Sequence, residues 1–152
     1  GAYNLEPEPL RSLSGINMRY VNKKMVIVIN KLAIEHSGGM ALTETNLMDG
    51  KSLGFIEKIH TNQMFGQKLY PDIFHQAAAY MHSIIKNHTF HDGNKRTGLA
   101  TAVTFLKWNN VAFSPFNEDK VFDKVISITE STAPPEEAVP DIAGWLKEMS
   151  LY

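Results

Sequence analysis

The chain has 152 residues, a formal net charge of −1 and no cysteine. This length suits one domain with a sizeable core, the weak charge excludes a global basic field for nucleic acid, and disulfides and thiolate metal sites are impossible. Because no apolar run approaches the roughly 18 residues of a membrane span and no basic-then-apolar leader opens the chain, we expect a cytoplasmic protein without direct membrane or nucleic-acid binding.

The first 17 residues contain two prolines and show no hydrophobic periodicity. We expect a flexible N-terminal arm at 1–17, or residues foreign to the natural chain, followed by a single domain at 18–152. The segment at 21–36 is ambiguous. Its β-branched run at 26–29 favours a strand, whereas the spacing of its apolar residues and its length favour a helix that ends at Gly38.

The next two segments are short. Residues 46–61 predict a weaker helix, because Gly50 and Gly54 interrupt it and each costs about 1 kcal/mol relative to alanine. Residues 63–70 are aromatic, polar and centred on Gly66, a pattern that predicts a small β-hairpin.

The clearest helix opens at Asp72, after a proline, and ends just before His88. Its apolar stripe, at helical spacing, comprises Ile73, Phe74, Ala77, Ala78, Met81, Ile84 and Ile85. Further helices are predicted at 94–109, around 121–126, and at 138–149 after a Pro-Pro break. In the helix at 94–109 the residues expected to face inward are Leu99, Ala102, Val103 and Leu106. The whole pattern indicates an all-α fold, a bundle of about six helices with one hairpin.

Residues 88–97, with the sequence HTFHDGNKRT, join two of these predicted helices. A turn that opens a helix presents free backbone N–H groups and the positive end of the helix dipole, which attract phosphate. Lys95 and Arg96 add positive charge, and Asp92 suits a Mg²⁺ ion that bridges phosphate oxygens. His88 is placed to take a proton from an attacking hydroxyl. Chemistry alone therefore indicates a nucleotide site with its own general base.

Each of these residues also has a simpler interpretation. His88 could be a surface histidine at a helix end, and Asp92 could be the N-cap of the following helix, a role worth about 1 kcal/mol. Gly93 either only makes the turn or lets phosphate approach the backbone. Asn94 either caps locally or binds a phosphate oxygen. Lys95 either contacts phosphate or is solvated.

Two further assignments concern the same region. Phe90 is expected to face the core, and the guanidinium fork of Arg96 suits bidentate phosphate binding. A zinc site is not expected from the histidines, since no thiolate or Glu-flanked pair accompanies them.

The stretch resembles the signature of the Fic/Doc superfamily. All six fixed positions of that signature match, at His88, Phe90, Asp92, Gly93, Asn94 and Arg96. Lys95 at the variable position is similar to the death-on-curing (Doc) branch, whereas adenylyl-transferring members have Gly there and a second Arg where this chain has Leu99. Upstream and downstream landmarks extend the resemblance over roughly Met18 to Met149.

The resemblance implies the Fic fold, and with it a helix at 21–36. It also implies that the hairpin is a flap that pairs with the backbone of a target protein, rather than an ordinary connection. The flap residues implied are Phe65, Gly66, Gln67, Lys68, Leu69 and Tyr70.

For function, the resemblance implies transfer of the γ-phosphate of ATP, with Mg²⁺, to a Ser or Thr hydroxyl of a target protein, on the translation machinery in well-studied members. His88, Asp92 and Arg96 would be catalytic, and Gly93, Asn94, Lys95 and Arg96 would bind the nucleotide phosphates. The alternatives are AMP transfer through the same His88, and a catalytically inactive protein-interaction module.

The resemblance also implies a toxin of a toxin–antitoxin pair. Many relatives are silenced by a helix that bears Ser or Thr, three residues, then Glu. Thr132 to Glu136 matches this pattern and contains Pro134 and Pro135. Proline removes helix hydrogen bonds and disfavours helix in the residue before it. We therefore expect an antitoxin-like inhibitory peptide from another chain, laid in a groove between helices with a carboxylate near Arg96.

Overall fold

The computed structural model describes residues 9–11, 17–61, 63–64, 67–68 and 72–152. Within these ranges the elements follow along the chain as β1 (Pro9–Arg11), β2 (Asn17–Arg19), α1 (Lys23–His36), α2 (Gly54–Thr61), β3 (Gln63–Met64), β4 (Gln67–Lys68), α3 (Ile73–Lys86), α4 (Asn94–Trp108), α5 (Glu118–Glu130) and α6 (Pro135–Met149). The strands form two antiparallel pairs, β1–β2 and β3–β4. The prediction of a helical fold is confirmed.

Helix α3 lies at the centre of the domain and packs against α2, α4, α5 and α6. It begins where the sequence indicates, because the Asp72 carboxylate accepts the backbone N–H of His75 at 2.9 Å. The predicted stripe is buried except for Ile73, which is partly buried. Tyr80 is also fully buried, and its ring packs edge-on against Phe105 of α4 with 5.2 Å between ring centroids.

The ambiguous segment at 21–36 is helical, as length and resemblance indicated. Asn22 caps α1 by accepting the Met25 backbone N–H at 2.9 Å. Helix α1 packs against α4 and α2. The inward face of α4 differs in part from the prediction: Ala102 and Leu106 are buried, but Leu99 and Val103 are only partly buried. The last two line a surface groove between α1, α4 and α5.

The close crossing of α3 and α4 depends on a small residue. A Cβ added to Gly98 of α4 would lie 3.0 Å from the Met81 carbonyl oxygen and 2.9 Å from Cγ1 of Ile85, both on α3. A Cβ at this separation fits only if the Ile85 side chain and the Met81 carbonyl shift away from it. Gly98 therefore lets the two helices that flank the motif lie in direct contact.

The helix predicted at 46–61 is wrong over its first half, since α2 begins at Gly54. Asn46 and Gly50 have left-handed backbones, with φ of 58° and 75°, which end any helical path there. Leu47 instead forms an isolated antiparallel bridge with Phe90 of the motif. A pairing between residues so far apart in sequence outweighed the local helical pattern.

The β1–β2 pair was not foreseen. Strand β1 lies within the segment expected to be a flexible arm, yet it pairs with β2 in the register Leu10↔Met18. The remainder of that segment lies outside the described residues, so the arm stays a prediction there. No helix in the part of the chain that the structure describes is long and apolar enough to cross a membrane.

Two glycine substitutions test the helix crossing. Gly98→Ala places a methyl group against the α3 backbone, and overpacking of this kind costs typically 1–3 kcal/mol. Gly144→Ala lies at an exposed position of α6, and its new Cβ would meet no atom of a described residue within 4 Å. It is expected to raise the free energy of unfolding by up to about 1 kcal/mol through helix propensity. Urea unfolding should show a lower free energy of unfolding for Gly98→Ala and a higher one for Gly144→Ala than for the wild type. Equal stabilisation of the two variants would contradict the close crossing of the helices.

Candidate active site

The motif loop at 87–93 joins α3 to α4 through a sharp turn. Asn87 ends α3 with its N–H bonded to the Ser83 carbonyl at 3.1 Å. His88 then adopts a left-handed backbone with φ of 44°, which for a residue other than glycine costs about 1–2 kcal/mol. The turn sends Thr89 and Phe90 into the core and leaves His88 exposed. Phe90 thus has the architectural position that the sequence predicts.

The segment at 46–48 holds this loop from one side. The Met48 N–H donates to the Thr89 carbonyl at 2.9 Å, and the His91 N–H donates to the Asn46 carbonyl at 3.0 Å. These bonds flank the bridge between Leu47 and Phe90. This part of the segment predicted as helix is therefore extended, and its backbone bonds to the motif loop.

Asn94 holds the loop from the other side. Its Oδ1 accepts the Phe90 N–H at 2.9 Å, and its Nδ2 donates to the Phe90 carbonyl at 2.8 Å. The Asn94 side chain therefore makes the local backbone contacts that were one of its two predicted roles. Phosphate binding by Asn94 stays a prediction.

The N-cap interpretation of Asp92 is wrong, because Gly93 occupies the N-cap position of α4 with φ of 79° and no side-chain cap bond. The Asp92 carboxylate instead accepts the Gly93 N–H through Oδ1 at 2.8 Å. It is an exposed carboxylate beside the free N–H groups of the first turn of α4. This arrangement leaves Asp92 available to a ligand of the helix N-terminus.

Two buried asparagines that the sequence analysis missed support the loop. Asn30 of α1 and Asn46 have no exposed surface, and Asn46 Nδ2 donates to Asn30 Oδ1 at 3.0 Å. Asn30 Nδ2 donates to the Asp92 carbonyl at 2.9 Å. A signal was present: Asn30 lies one turn from Val26 and Ile34 on a buried apolar face, and a polar residue there requires partners.

The motif residues meet around one pocket of about 240 Å³. The predicted site residues that line it are His88, Asp92, Gly93, Asn94, Lys95 and Arg96, and the other lining residues are Ser37, Ile85, His91, Phe122 and Thr129. Pockets for whole small-molecule ligands hold about 300–1,000 Å³. The pocket is therefore of a size for phosphate groups rather than for a complete nucleotide.

The polar character of the pocket favours anions. Lys95 and Arg96 are exposed and form no ion pair with a described residue. The first helical bond of α4 is from the Thr97 N–H to the Gly93 carbonyl at 2.8 Å, so the N–H groups before Thr97 have no intrahelical acceptor. Two cations and a helix N-terminus together suit phosphate oxygens.

The residues present fit magnesium only when a phosphate shares it. No cluster of three or more His, Asp or Glu side chains able to hold a metal occurs among the described residues. Asp92 supplies a single carboxylate, and Mg²⁺ commonly binds one or two carboxylates with substrate phosphates and water completing its shell. Asp92 could therefore hold a nucleotide-bound Mg²⁺, but not a metal ion by itself.

An apolar groove of about 460 Å³ lies next to the pocket. Its walls come from α1, α4 and residues 116–122, and include Ile29, Leu32, Ala33, Leu99, Ala100, Val103, Phe116, Val121 and Phe122. Arg96 lines both the groove and the pocket, and its guanidinium carbon lies 5.3 Å from the centroid of the Phe122 ring. The two cavities thus meet at one cation.

The predicted flap is described only in its backbone. Gln63 and Met64 of β3 pair with Lys68 and Gln67 of β4, which confirms the hairpin. Phe65, Gly66, Leu69 and Tyr70 lie outside the described residues, so their predicted contact with a target is untested.

The chain belongs to the Fic/DOC family, since the model of that family matches residues 20–106, more than half of the chain. It is 32% identical over 83 residues to the toxin Doc of Mycolicibacterium smegmatis, an alignment that covers 54% of this chain and 64% of that protein, less than two thirds of its length. It is 26% identical over 135 residues to the protein kinase doc of Escherichia phage P1, over 87% of this chain and 96% of that protein.

Substitution of Gly93 tests how closely the motif turn is packed. In Gly93→Ala the left-handed backbone is unfavourable, and the new Cβ would lie 3.2 Å from Asn30 Nδ2 and from Ile34 Cγ1. Gly38→Ala is the control, because Gly38 has φ of 83° but an added Cβ there would meet no atom of the described ranges within 4 Å. The backbone alone costs about 1–2 kcal/mol in both, so Gly93→Ala should lose more free energy of unfolding. Equal losses in urea unfolding would show that the contact with α1 is not close.

Proposed function

We propose that this protein transfers the γ-phosphoryl group of ATP to a Ser or Thr hydroxyl of a target protein, and that it acts as a toxin restrained by a partner. One observation carries the proposal. A single pocket gathers the imidazole of His88, the carboxylate of Asp92, the cations Lys95 and Arg96 and a helix N-terminus. The names of the two relatives, a toxin and a protein kinase, support the same chemistry.

In the proposed reaction the hydroxyl oxygen of the target forms a bond to the γ-phosphorus of ATP. His88 takes the hydroxyl proton, the bond between the γ-phosphorus and the bridging oxygen of the β-phosphate breaks, and ADP leaves with that electron pair. Lys95, Arg96 and the first N–H groups of α4 neutralise the charge on the phosphate oxygens. Mg²⁺, held by Asp92 and the phosphates, would supply further charge neutralisation.

The position of two side chains favours γ-phosphoryl over AMP transfer. Lys95 lines the pocket where adenylyl-transferring members have glycine. Leu99, where they have a second arginine, lines the apolar groove instead. The pocket thus lacks the extra space and the extra cation of an AMP-transferring site. AMP transfer through His88 is the second candidate, and the gathered site argues against an inactive interaction module, which would not need it.

Radiolabelled ATP tests which bond breaks. With bacterial lysate as the source of targets, label from [γ-³²P]ATP should appear on protein and label from [α-³²P]ATP should not. His88→Ala should reduce the γ-label by at least about 10²-fold, the usual contribution of a general base. Because His88 is exposed and makes no hydrogen bond to a described residue, the variant should unfold like the wild type.

The opposite labelling pattern would assign AMP transfer to this protein. No label from either nucleotide, in a folded protein, would favour the interaction module. The double variant Lys95→Gly, Leu99→Arg should gain some α-label if these two positions select the pose of the nucleotide.

The apolar groove suits an amphipathic segment of an inhibitory partner. Leu32 and Phe116 on its walls are 41% and 38% exposed, so the groove presents apolar surface. A carboxylate on the bound segment would reach Arg96 at the junction with the pocket. Neither match to the inhibitory pattern within this chain supplies the helix, because Thr132 precedes α6, which begins at Pro135, and Ser114, the other match with Glu118, precedes α5, which begins at Glu118. The partner is therefore proposed to be another chain.

A charge placed in the groove tests the partner. Expression of this protein should slow bacterial growth in a His88-dependent way, and co-expression of the adjacent gene should restore it. The Leu32→Arg variant should still slow growth, but co-expression of the adjacent gene should not restore it. Ile126→Arg is a matched control, since Ile126 is also 41% exposed but does not line the groove. Equal restoration of both variants would exclude the groove, and harmless expression of the active protein would exclude toxicity.

A further inference from the structure

We infer that Asn30 is a positioning residue for the nucleotide-bound metal, because it holds the backbone that carries the Asp92 carboxylate. The inference rests on the proposed function, in which Asp92 shares Mg²⁺ with the phosphates of ATP. Asn30 itself lies beneath the site and is fully buried, so it acts through Asp92 and not on the substrate.

The Asn30 side chain joins α1 to three other parts of the chain. Its Nδ2 donates to the Asp92 carbonyl at 2.9 Å and to Thr97 Oγ1 at 3.0 Å, and its Oδ1 accepts from Asn46 Nδ2 at 3.0 Å. A primary amide has two N–H donors, and here both have acceptors. α1, the motif loop, the first turn of α4 and the segment at Asn46 are thus fixed relative to one another.

Asn46 extends this connection. Its Oδ1 accepts the Leu42 N–H at 3.1 Å, and its backbone carbonyl accepts the His91 N–H at 3.0 Å. The motif loop is therefore held on both sides of Asp92: by Asn46 at the preceding residue and by Asn30 at Asp92 itself. Buried amide networks of this kind are rigid when every member has a partner.

These contacts determine where the Asp92 carboxylate points. The Asp92 carbonyl is fixed by Asn30, and the Asp92 Oδ1 is fixed by the Gly93 N–H at 2.8 Å. The first bond fixes the backbone that carries the carboxylate, and the second restricts the rotation of the side chain. Gly93 lies so close to Asn30 that an added Cβ would be 3.2 Å from Nδ2. Glycine at this position therefore lets the loop lie against Asn30 of α1, whose amide bonds to the Asp92 carbonyl.

Within the described part of the chain, Asn30 is the residue whose side chain bonds to the Asp92 backbone. Asp92 is exposed, and within the described ranges its carboxylate has no salt-bridge partner. An apolar residue at position 30 would leave the Asp92 carbonyl and Asn46 Nδ2 without their partner, and the loop would gain freedom in the region that orients the metal ligand. Residues that orient a metal ligand from behind contribute typically 10–100-fold to metal affinity.

The test compares Asn30→Leu with Asn109→Leu. Asn109 also uses its amide to join distant segments, since its Nδ2 donates to the carbonyls of Arg19 and Phe105 and its Oδ1 accepts the Arg19 N–H. It lies at the far end of α4 from the motif, so it controls for a general loss of stability. Both variants should show a lower free energy of unfolding than the wild type.

Calorimetry with a non-hydrolysable ATP analogue, with and without Mg²⁺, gives the decisive readout. Asn30→Leu should lose roughly tenfold of the affinity measured with Mg²⁺ and keep the affinity measured without it. Asn109→Leu should keep both. An unchanged Mg²⁺ dependence in folded Asn30→Leu, or an equal loss with and without Mg²⁺, would overturn the inference.

A milder variant covers the case in which Asn30→Leu does not fold. Thr97→Val is isosteric and removes one acceptor of the Asn30 amide, so it should cause a smaller loss of the same Mg²⁺-dependent kind, and no loss would overturn the inference. Absence of Mg²⁺-dependent binding by the wild type is a separate result, since it would overturn the proposed function itself.

Discussion

The close contact of α3 with α4 at Gly98 is the constraint on which the rest of the site depends. Because no Cβ separates the two helices, the α4 backbone lies directly against Met81 and Ile85 of α3. A connection of only seven residues, 87–93, must then join the end of one helix to the start of the other. The turn at His88 and the left-handed Gly93 follow from this geometry, as does the position of the free N–H groups of α4.

The signature residues divide into two groups with different physical roles. Thr89, Phe90 and Asn94 hold the loop in place, through burial and through the bonds of the Asn94 amide to Phe90. His88, Asp92, Lys95 and Arg96 are exposed around the pocket. The buried residues and the Asn94 amide hold the loop backbone in one conformation. The exposed side chains of the loop are thereby left to contact a ligand.

In the proposed function, Arg96 takes part both in phosphate binding and in inhibition by the partner chain. It lines both the anion pocket and the apolar groove, and Phe122 packs against its guanidinium from α5. A carboxylate delivered along the groove and a phosphate delivered to the pocket would compete for the same cation. Inhibition by a partner then needs no long-range conformational change, since occupation of Arg96 is sufficient to weaken phosphate binding.

Local patterns in the sequence by themselves predicted most of the helices and the turn that carries the candidate site residues. The apolar stripe of α3 and the start of that helix after Asp72 depend on neighbours within a few positions, and the structure contains both as expected. The tertiary structure decided what depends on distant partners. The strand-like segment at 46–48, the β1–β2 pair and the bonds of Asn30 to Asp92 and Thr97 join residues far apart in the chain. Hydrophobic periodicity shows that a face is buried, but a hydrogen bond across 62 or 67 residues exists only once packing brings both groups together.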